Sequence, residues 1–404
     1  MKKLFAVLLC AALVLTLSTA CGSAQQATQS SSSPAPTTTT EPPVPPYYPA
    51  LLTGEEMAEA DYPQSQRFAA VMINNISGSA SQNARPQWGI GDADILVEIK
   101  VEGGITRFMG LFSDYTKLPK VGPVRSARDQ FFQIILPWQP LYIHIGESVV
   151  QTEYKKNYNY EGLDINLDYY GFERDQERLS EGRAVEHTAY TTADQIMQIV
   201  KDNDIDTKRT YNSTMFNFVH YDEPDRVLTG DRDNQNVDAY KVDIVHSEGY
   251  RTYFTYDAAA QKYMMSQYSL AKGAVHETVD ANTNEQLGFK NLLVLFTDIH
   301  VYPGHEAKDL QKVDETSGGV GYYFSDGKAE FVYWKKDSPD AVLRILTKDG
   351  TEQDEQINPG KSYLTFVDLD EAPNFCYYPN EAAANGTENV QVDSNSVNTS
   401  ITDD

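Results

Sequence analysis

The chain has 404 residues, of which 41% are hydrophobic and 11% are aromatic. These fractions are ordinary for a globular protein and exclude a wholly disordered or collagen-like chain. Lysine and arginine total 33 against 58 aspartate and glutamate residues, which gives a net charge of −25. Such an acidic chain is poorly suited to nucleic acid, because phosphate contacts require clustered cations.

The N-terminus has the pattern of a bacterial lipoprotein leader. Lys2 and Lys3 precede an uninterrupted apolar run over residues 4–17. That run is shorter than the ~20 residues that a membrane-spanning helix needs. The sequence Leu-Ser-Thr-Ala-Cys at 17–21 resembles the lipobox, so residues 1–20 are predicted to be a signal peptide and Cys21 the lipidated N-terminus. The alternative is a plain secreted protein in which Cys21 has no such role.

Two further segments carry little that could be buried in a core. Residues 21–50 are rich in Ser, Thr, Gln, Ala and Pro and are predicted to form a disordered linker. Residues 371–404, rich in Asn, Ser, Thr and acids, are predicted to be a disordered acidic tail. Once Cys10 is removed and Cys21 acylated, Cys376 is the one remaining thiol, so no intramolecular disulfide is expected.

The first half of the folded part mixes predicted strands with helices. Alternating or continuous apolar residues predict strands at 68–75, 94–101, 105–112 and 141–145. A helix is predicted over 126–136, with Ser126 as the N-cap and Pro137 ending it. A second helix is predicted over 192–203, where Thr192 and Gln195 form a capping box.

The second half is dominated by predicted strands. They lie at 251–256, 291–302, 320–324, 329–334, 341–346 and 362–367, separated by turn sequences rich in Gly, Asp and Asn. The predicted class is therefore α+β, with a mixed α/β domain at 51–230 followed by a smaller β-rich domain at 231–370. The boundary is placed in the polar stretch 222–238.

The most suggestive segment for chemistry is Lys-Val-Gly-Pro-Val-Arg-Ser-Ala-Arg at 120–128. A Gly-Pro turn leads into a predicted helix start at Ser126, flanked by Arg125 and Arg128. Unpaired backbone N–H groups and guanidinium groups can together hold a carboxylate or a phosphate. Arg107, on the preceding strand, is expected to join them.

Two other interpretations of these residues stay open. The arginines could instead pair internally with Glu98, Glu102 or Asp129, which would make the cluster structural. Alternatively, Glu98 or Glu102 could act with His187 or His144 as a general acid–base pair in a wall-modifying hydrolase.

No metal site or cofactor is predicted. His300 and His305 are separated by a Pro-Gly pair, which excludes a helical HExxH arrangement. The acidic turn at 231–236 lacks the glycine and the final glutamate of a calcium loop. Phosphate-binding and dinucleotide-binding glycine motifs are also missing from the sequence.

The residues resemble one known family. Glu-Gly-Gly-Ile-Thr-Arg-Phe at 102–108, Gly-Pro-Val-Arg-Ser-Ala-Arg at 122–128 and Glu-His-Thr-Ala-Tyr at 186–190 are similar to motifs of the YerB-like lipoproteins. Gly-Gly-Val-Gly-Tyr-Tyr-Phe at 318–324 is similar to their C-terminal domain. The resemblance implies a two-domain surface lipoprotein of Gram-positive bacteria and assigns no reaction.

These observations predict a lipid-anchored protein on the extracytoplasmic face of the membrane, held there through Cys21. The favoured role is binding or scaffolding at the cell envelope, with peptidoglycan fragments or cell-wall assembly proteins as partners. The expected ligand-binding residues are Arg107, Arg125, Ser126, Arg128, Glu98, Glu102 and His187.

Overall fold

The computed structural model describes residues 47–58, 65–158, 160, 164–166, 171–229, 237–347 and 353–386. Every described element belongs to one compact unit. Cys21 and the predicted signal peptide lie outside the described residues. The end of the predicted 21–50 linker is corrected, because Tyr47–Pro49 form a strand that pairs with Glu56–Ala58.

Twenty-two strands and five α-helices make up the described fold. The helices are α1 (Asp129–Ile135), α2 (Val149–Asn157), α3 (Gln176–Ser180), α4 (Ala193–Asp202) and α5 (Glu381–Ala384). The strands are β1 (Tyr47–Pro49), β2 (Glu56–Ala58), β3 (Ala69–Asn74), β4 (Ile95–Lys100), β5 (Thr106–Phe112), β6 (Leu141–His144), β7 (Asp164–Asn166), β8 (Glu173–Arg174), β9 (Ala189–Tyr190), β10 (Lys241–Ser247), β11 (Tyr250–Asp257), β12 (Lys262–Ser269), β13 (Ala274–Glu277), β14 (Gly288–Phe289), β15 (Asn291–Thr297), β16 (Ile299–Val301), β17 (Gln311–Val313), β18 (Gly319–Ser325), β19 (Lys328–Lys335), β20 (Arg344–Leu346), β21 (Ser362–Asp368) and β22 (Cys376–Tyr378).

A ten-stranded sheet forms the centre of the molecule, in the order β20-β19-β18-β15-β21-β4-β5-β3-β6-β7. Strands β15, β21 and β4 are parallel to one another, as are β3, β6 and β7. Strand β5 lies between the two groups and is antiparallel to both β4 and β3. The strands of both groups therefore point the same way, and their carboxyl ends meet at one edge of the sheet.

Both faces of this sheet are covered. A six-stranded sheet, β13-β12-β11-β10-β22 with β14 beside β12, packs on one face through a core that includes Leu96, Phe108 and Phe254. Helix α1 covers the other face, where Phe131 packs with Val97 and other strand residues. The alternation of β4 accordingly sends neighbouring side chains into two different cores.

The predicted α+β class is confirmed, with a mixed N-terminal region and a β-rich C-terminal one. The predicted strands and both predicted helices are present, although residues 291–302 form two strands, β15 and β16. Ser126 does not cap α1: the helix begins at Asp129 after an extended N-cap at Arg128, which makes no side-chain cap bond. Thr192 does cap α4, accepting from the Gln195 backbone N–H.

One further domain limit needs correction, and another falls outside the described residues. Strands from both halves share the ten-stranded sheet, where β21 of the C-terminal region pairs with β4 of the N-terminal one, so the two regions form one hydrogen-bonded body. The predicted 230/231 boundary falls at residues that the structure does not describe. The tail predicted to begin at 371 contributes β22 and α5, and the described residues continue to Gly386.

Candidate functional site

The arginine-bearing segment lies at the edge of the large sheet where the parallel strands end. In open α/β sheets this carboxyl edge is the usual place for a ligand. The segment 125–128 runs in extended form between the ends of β3 and β6. The Arg125 backbone N–H donates to the Met72 carbonyl oxygen, while the Arg125 carbonyl accepts from Ile145. This pairing explains why no helix begins at Ser126.

Gly122 shapes the approach to this segment. Its φ is +157°, and a Cβ atom there would lie 2.6 Å from the carbonyl oxygen of Ala189. The Val124 backbone N–H then donates to that same Ala189 carbonyl at 2.8 Å. Only glycine allows so close an approach, which fixes the path of the chain into the arginine segment.

Buried Arg107 and half-buried Arg128 converge here on one carboxylate. Arg107, at the start of β5, is 7% exposed and donates to the Ser126 carbonyl oxygen at 2.5 Å. Its other terminal nitrogen lies 3.9 Å from Glu102 Oε2. Arg128 forms a close ion pair with Glu102 Oε1 and also donates to the Ala127 carbonyl oxygen at 2.7 Å.

Arg125 is the third cation of this arginine cluster, which we define as Arg107, Arg125 and Arg128. Among the described residues, no side chain or carbonyl forms a hydrogen bond or ion pair with its half-buried guanidinium. Burial lowers the pKa of Arg125, with Glu186 opposing that effect and Arg128 adding to it. Burial, together with Arg128 and Arg125, likewise holds the pKa of Arg107 well below its usual value. The guanidinium groups therefore repel one another.

Glu102 is the one carboxylate within ion-pair distance of the arginine cluster among the described residues. Burial acts to raise its pKa, but hydrogen bonding and charge from Arg128 and Arg107 prevail and lower it. It is therefore held ionised and cannot readily take up a proton. Glu102 forms ion pairs with Arg107 and Arg128 only, and Glu186 acts on Arg125 without an ion pair, so Arg125 is left able to meet an added anion.

His187 lies nearby but is enclosed. It is 1% exposed, and its ring nitrogens contact Asn74 Nδ2 and Gln82 Oε1, each at 2.8 Å. Burial lowers its pKa, and Arg125 and Arg183 add to this effect. His144 is also buried and places Nδ1 2.8 Å from the Gly146 carbonyl oxygen. Both histidines therefore have structural partners.

Glu98 is not part of the arginine cluster, because it points to the opposite face of the sheet. Its side chain is fully buried between the two sheets. Its carboxylate accepts five hydrogen bonds of 2.6–3.1 Å, from Asn75, Thr106 and Gln267 at Oε1 and from Thr252 and Tyr363 at Oε2. We call this group the Glu98 node. A carboxylate so fully engaged cannot meet a substrate.

Comparison with known proteins gives a consistent result. The family of proteins of unknown function DUF3048 matches twice, through its N-terminal domain at residues 52–206 and its C-terminal domain at 241–364. The "Putative lipoprotein YerB" of Bacillus subtilis (strain 168) is 28% identical over 315 residues, covering 76% of this chain and 83% of YerB.

The chain belongs to the DUF3048 family. The resemblance to YerB-like lipoproteins drawn from the sequence is thereby confirmed. The crystal structure of the YerB protein from Bacillus subtilis superposes with a TM-score of 0.62 at 24% identity, covering 80% of this chain and 98% of that one. It shows that the fold is shared. None of these matches names a ligand or a reaction.

This DUF3048 protein has a second group of titratable side chains beside the arginine cluster. Tyr302, from the segment between β16 and β17, donates a 2.6 Å hydrogen bond to Asp129 Oδ2. Burial raises the pKa of Asp129 to about 6. Glu315 is 1% exposed, its oxygens have no hydrogen-bond partner among the described residues, and burial raises its pKa well above the usual value.

Sequence reasoning missed Tyr302 and Glu315, and the chain offers little that would have found them. Tyr302 and Asp129 are 173 positions apart. His246, the histidine nearest Glu98, was also missed; its Nε2 lies 3.7 Å from Glu98 Oε2 in the Glu98 node. Only the packing of the second sheet brings that pair together.

The described residues of this DUF3048 protein contain neither a metal-binding cluster nor a membrane-crossing helix. No group of three or more His, Cys, Asp or Glu side chains there could hold a metal ion. No described helix is both long and apolar enough to cross a membrane. The acidic turn at 231–236 lies outside the residues that the structure describes.

Proposed function

We propose that this protein is a lipid-anchored binding protein of the cell envelope, and that the arginine cluster holds a carboxylate- or phosphate-bearing envelope ligand. The observation that carries the proposal is the surplus of positive charge at the carboxyl edge of the sheet. Among the described residues, Glu102 is the one carboxylate within ion-pair distance of this cluster, and it pairs with Arg107 and Arg128 but not with Arg125. An anion that bridged them would relieve repulsion between partly desolvated guanidinium groups.

The arginine cluster differs from most other basic side chains of this acidic protein, which supports the proposal. The whole chain carries a net charge of −25, so a local excess of arginine is unusual in it. Many other basic side chains of the described part have an acidic partner, as Lys100 has Asp368 and Lys120 has Asp175. Arg125, half-buried and without such a partner there, is the group best placed to meet an incoming anion.

The geometry gives little support to the alternative of a wall-modifying hydrolase. Glu98 accepts five hydrogen bonds inside the protein, and the pKa of Glu102 is lowered by its arginine partners. A general acid must hold a proton near neutral pH, and a general base must reach its substrate. Glu102 fails the first requirement and Glu98 fails the second. His187 and His144 are both buried.

A binding experiment with wall material tests the proposed function. Soluble fragments from enzymatically digested Gram-positive cell wall would be titrated into the chain lacking its first 21 residues. We expect saturable binding that Arg125→Ala weakens roughly tenfold or more, since a charge-assisted hydrogen bond contributes ~1.5–3 kcal/mol. Arg344→Ala is the matched control, because Arg344 pairs with Asp354 on the far edge strand β20.

The control defines what would contradict the proposal. Equal losses in Arg125→Ala and Arg344→Ala would show that only overall charge matters. Absence of binding to the unsubstituted chain would exclude wall fragments of this kind as ligands. The thermal unfolding of each variant would first be compared with that of the unsubstituted chain. A loss of binding then cannot be due to a variant that fails to fold.

The anchor is a separate part of the proposal. The lipobox-like sequence ending at Cys21 and the relationship to a protein named as a lipoprotein support lipid attachment there. Cys21→Ala should release the protein into the medium or leave its leader uncut. The measurement is membrane fractionation with mass analysis of the N-terminus. Normal processing and unchanged membrane retention of that variant would contradict the proposal.

A further inference from the structure

The six-stranded sheet has an outer face, which is turned away from the ten-stranded sheet. Along β10, β11 and β12, alternate side chains enter the core between the sheets, and the side chains between them point outward. The outward set includes Tyr253 and Tyr268, which are half-buried and belong to neither hydrophobic core of the described residues. The solvated face of an antiparallel sheet is usually polar, so tyrosines on this face are candidates for binding.

Three tyrosines form a diagonal row across this outer face. Tyr378 on β22 lies opposite Lys241 on β10, and the Lys241 ammonium is 5.3 Å from the ring centroids of both Tyr378 and Tyr253. Tyr253 lies opposite Ser266 on β12, and Tyr268 is two residues beyond Ser266 on that strand. Diagonal neighbours of this kind are ~7–8 Å apart. We call Tyr253, Tyr268 and Tyr378 the tyrosine row.

Two exposed aliphatic side chains extend the apolar surface beside Tyr268. Val275 on β13 lies directly opposite Tyr268 and is 48% exposed. Leu270, which follows β12, is 45% exposed. It lies against Gly249, where an added Cβ would be 2.8 Å from Leu270 Cδ1. Tyr268 therefore has apolar neighbours that are open to solvent.

The tyrosine row ends at a cleft of about 690 Å³. Tyr268, Leu270 and Arg251 line it from the sheet, and Gly104 lines it from the turn that follows β4. Ser247 Oγ donates to the Gly104 carbonyl oxygen at 2.7 Å, which joins this turn to the β10–β11 turn. Ligand sites in proteins typically measure ~300–1,000 Å³, so the cleft has room for a sugar unit.

The charges of the outer face argue for a neutral ligand. The outward residues of β10 to β13 include three basic and three acidic side chains, which are Lys241, Arg251 and Lys262 against Asp243, Asp257 and Glu277. Lys241 and Asp243 form an ion pair at 2.9 Å. The whole chain has a net charge of −25, so a second copy or an acidic polymer would be repelled by the molecule as a whole. A neutral polymer meets no such repulsion.

We propose that this face binds a neutral, N-acetylated glycan strand, with sugar rings on the tyrosine row and a terminal unit in the cleft. A sugar ring has apolar C–H faces that pack on aromatic rings, and its hydroxyl groups can bond to Asp243 and Ser266 between the tyrosines. Acetyl methyl groups would contact Leu270 and Val275. The choice of a wall glycan rests on the proposed envelope location, but the site uses no residue of the arginine cluster.

The test is a calorimetric titration of the chain lacking its first 21 residues with the N-acetylglucosamine hexamer. The deacetylated hexamer, which is cationic, is the control ligand. We expect saturable binding of the acetylated hexamer and weaker binding of the deacetylated one. No saturable binding of the acetylated hexamer up to about 5 mM would overturn the proposal. Tighter binding of the cationic hexamer would also overturn it, because charge would then be the cause.

Substitutions in the tyrosine row locate the binding. Tyr268→Ala and Tyr253→Ala should each weaken it roughly fivefold or more, because each removes a ring on which a sugar packs. Tyr268→Phe keeps the ring and should bind within about twofold of the unsubstituted chain. Tyr48→Ala is the matched control, since Tyr48 is a half-buried tyrosine on β1. The thermal unfolding of each variant would be compared first.

The same variants separate this proposal from its rivals. Equal binding by Tyr253→Ala, Tyr268→Ala and Tyr48→Ala would overturn the site assignment, and an equal loss in Tyr268→Phe and Tyr268→Ala would overturn packing on the ring. A dimer in sedimentation that Tyr268→Ala dissociates would assign the face to a second copy instead. Arg125→Ala should bind the hexamer normally, because the probe has no acidic group. Failure here therefore leaves the anion-binding proposal standing.

Discussion

The two faces of the ten-stranded sheet carry charged groups in opposite conditions. On the face toward the six-stranded sheet, Glu98 is fully buried and five donors satisfy its carboxylate. On the other face, Arg107 and Arg128 share Glu102, and Arg125 has no hydrogen-bond or ion-pair partner among the described residues. The first arrangement is complete without a ligand. The second has an arginine without a partner among the described residues, and this difference is the basis of the binding site proposed there.

The largest expected effect on stability comes from disrupting the Glu98 node. Glu98→Leu would leave five donors in the interior without their acceptor, along with the nearby charge of Arg85. Removing one member of a buried charged network typically costs ~3–5 kcal/mol, and we expect a loss of this size in the free energy of unfolding. Urea unfolding monitored by fluorescence measures it. Glu153→Leu, at an exposed position on α2, should change stability by under ~0.5 kcal/mol.

A smaller effect is expected at Asp129, where the pKa is raised to about 6 by burial. An unfolded aspartate ionises near pH ~3.9, so the folded state binds a proton over the interval between these values. Stability should therefore fall as pH rises from about 4 to about 6, by ~1–3 kcal/mol for this group. Asp129→Asn removes the titration and should flatten that part of the curve.

The measurement is the free energy of urea unfolding at several pH values in both proteins. The side-chain amide introduced by Asp129→Asn would still accept a hydrogen bond from Tyr302, so the local contact that Asp129 makes at 2.6 Å is kept. Parallel pH curves for the two proteins would show that Asp129 does not titrate in this interval. We expect the difference in unfolding free energy between the two proteins to become smaller toward low pH.

Local sequence was sufficient for much of the fold. The apolar alternation at 94–101 correctly predicted β4, in which Val97 and Ile99 lie on one face of the sheet and Glu98 on the other. The sequence could not show that a second sheet covers the Glu98 face, because Thr252 and Gln267 are 154 and 169 positions from it. Helix α2 was missed since it buries only Val150 and Gln151 and so has little apolar periodicity.

The candidate site was predictable only where its residues lie close together in the sequence. Arg125 and Arg128 lie in one short segment, and Arg107 begins a strand whose pattern was clear. The approach of Arg107 and Arg128 to Glu102 required the register of β4 and β5, which local sequence does not determine. Tyr302 and Glu315 come from the region around the β16–β17 pair, and nothing in their own segments indicates that they approach Asp129.

The central claim is that the arginine cluster is an anion-binding site, and the response to inorganic phosphate tests it most directly. The melting temperature of the mature chain would be followed with increasing phosphate at constant ionic strength, beside Arg125→Ala and Arg344→Ala. Ligand binding to the folded state raises stability by mass action, so phosphate should raise the melting temperature of the unsubstituted chain and of Arg344→Ala. Arg125→Ala should lose most of that rise while starting from a similar melting temperature. An equal rise in all three proteins, or none in the unsubstituted chain, would contradict the claim.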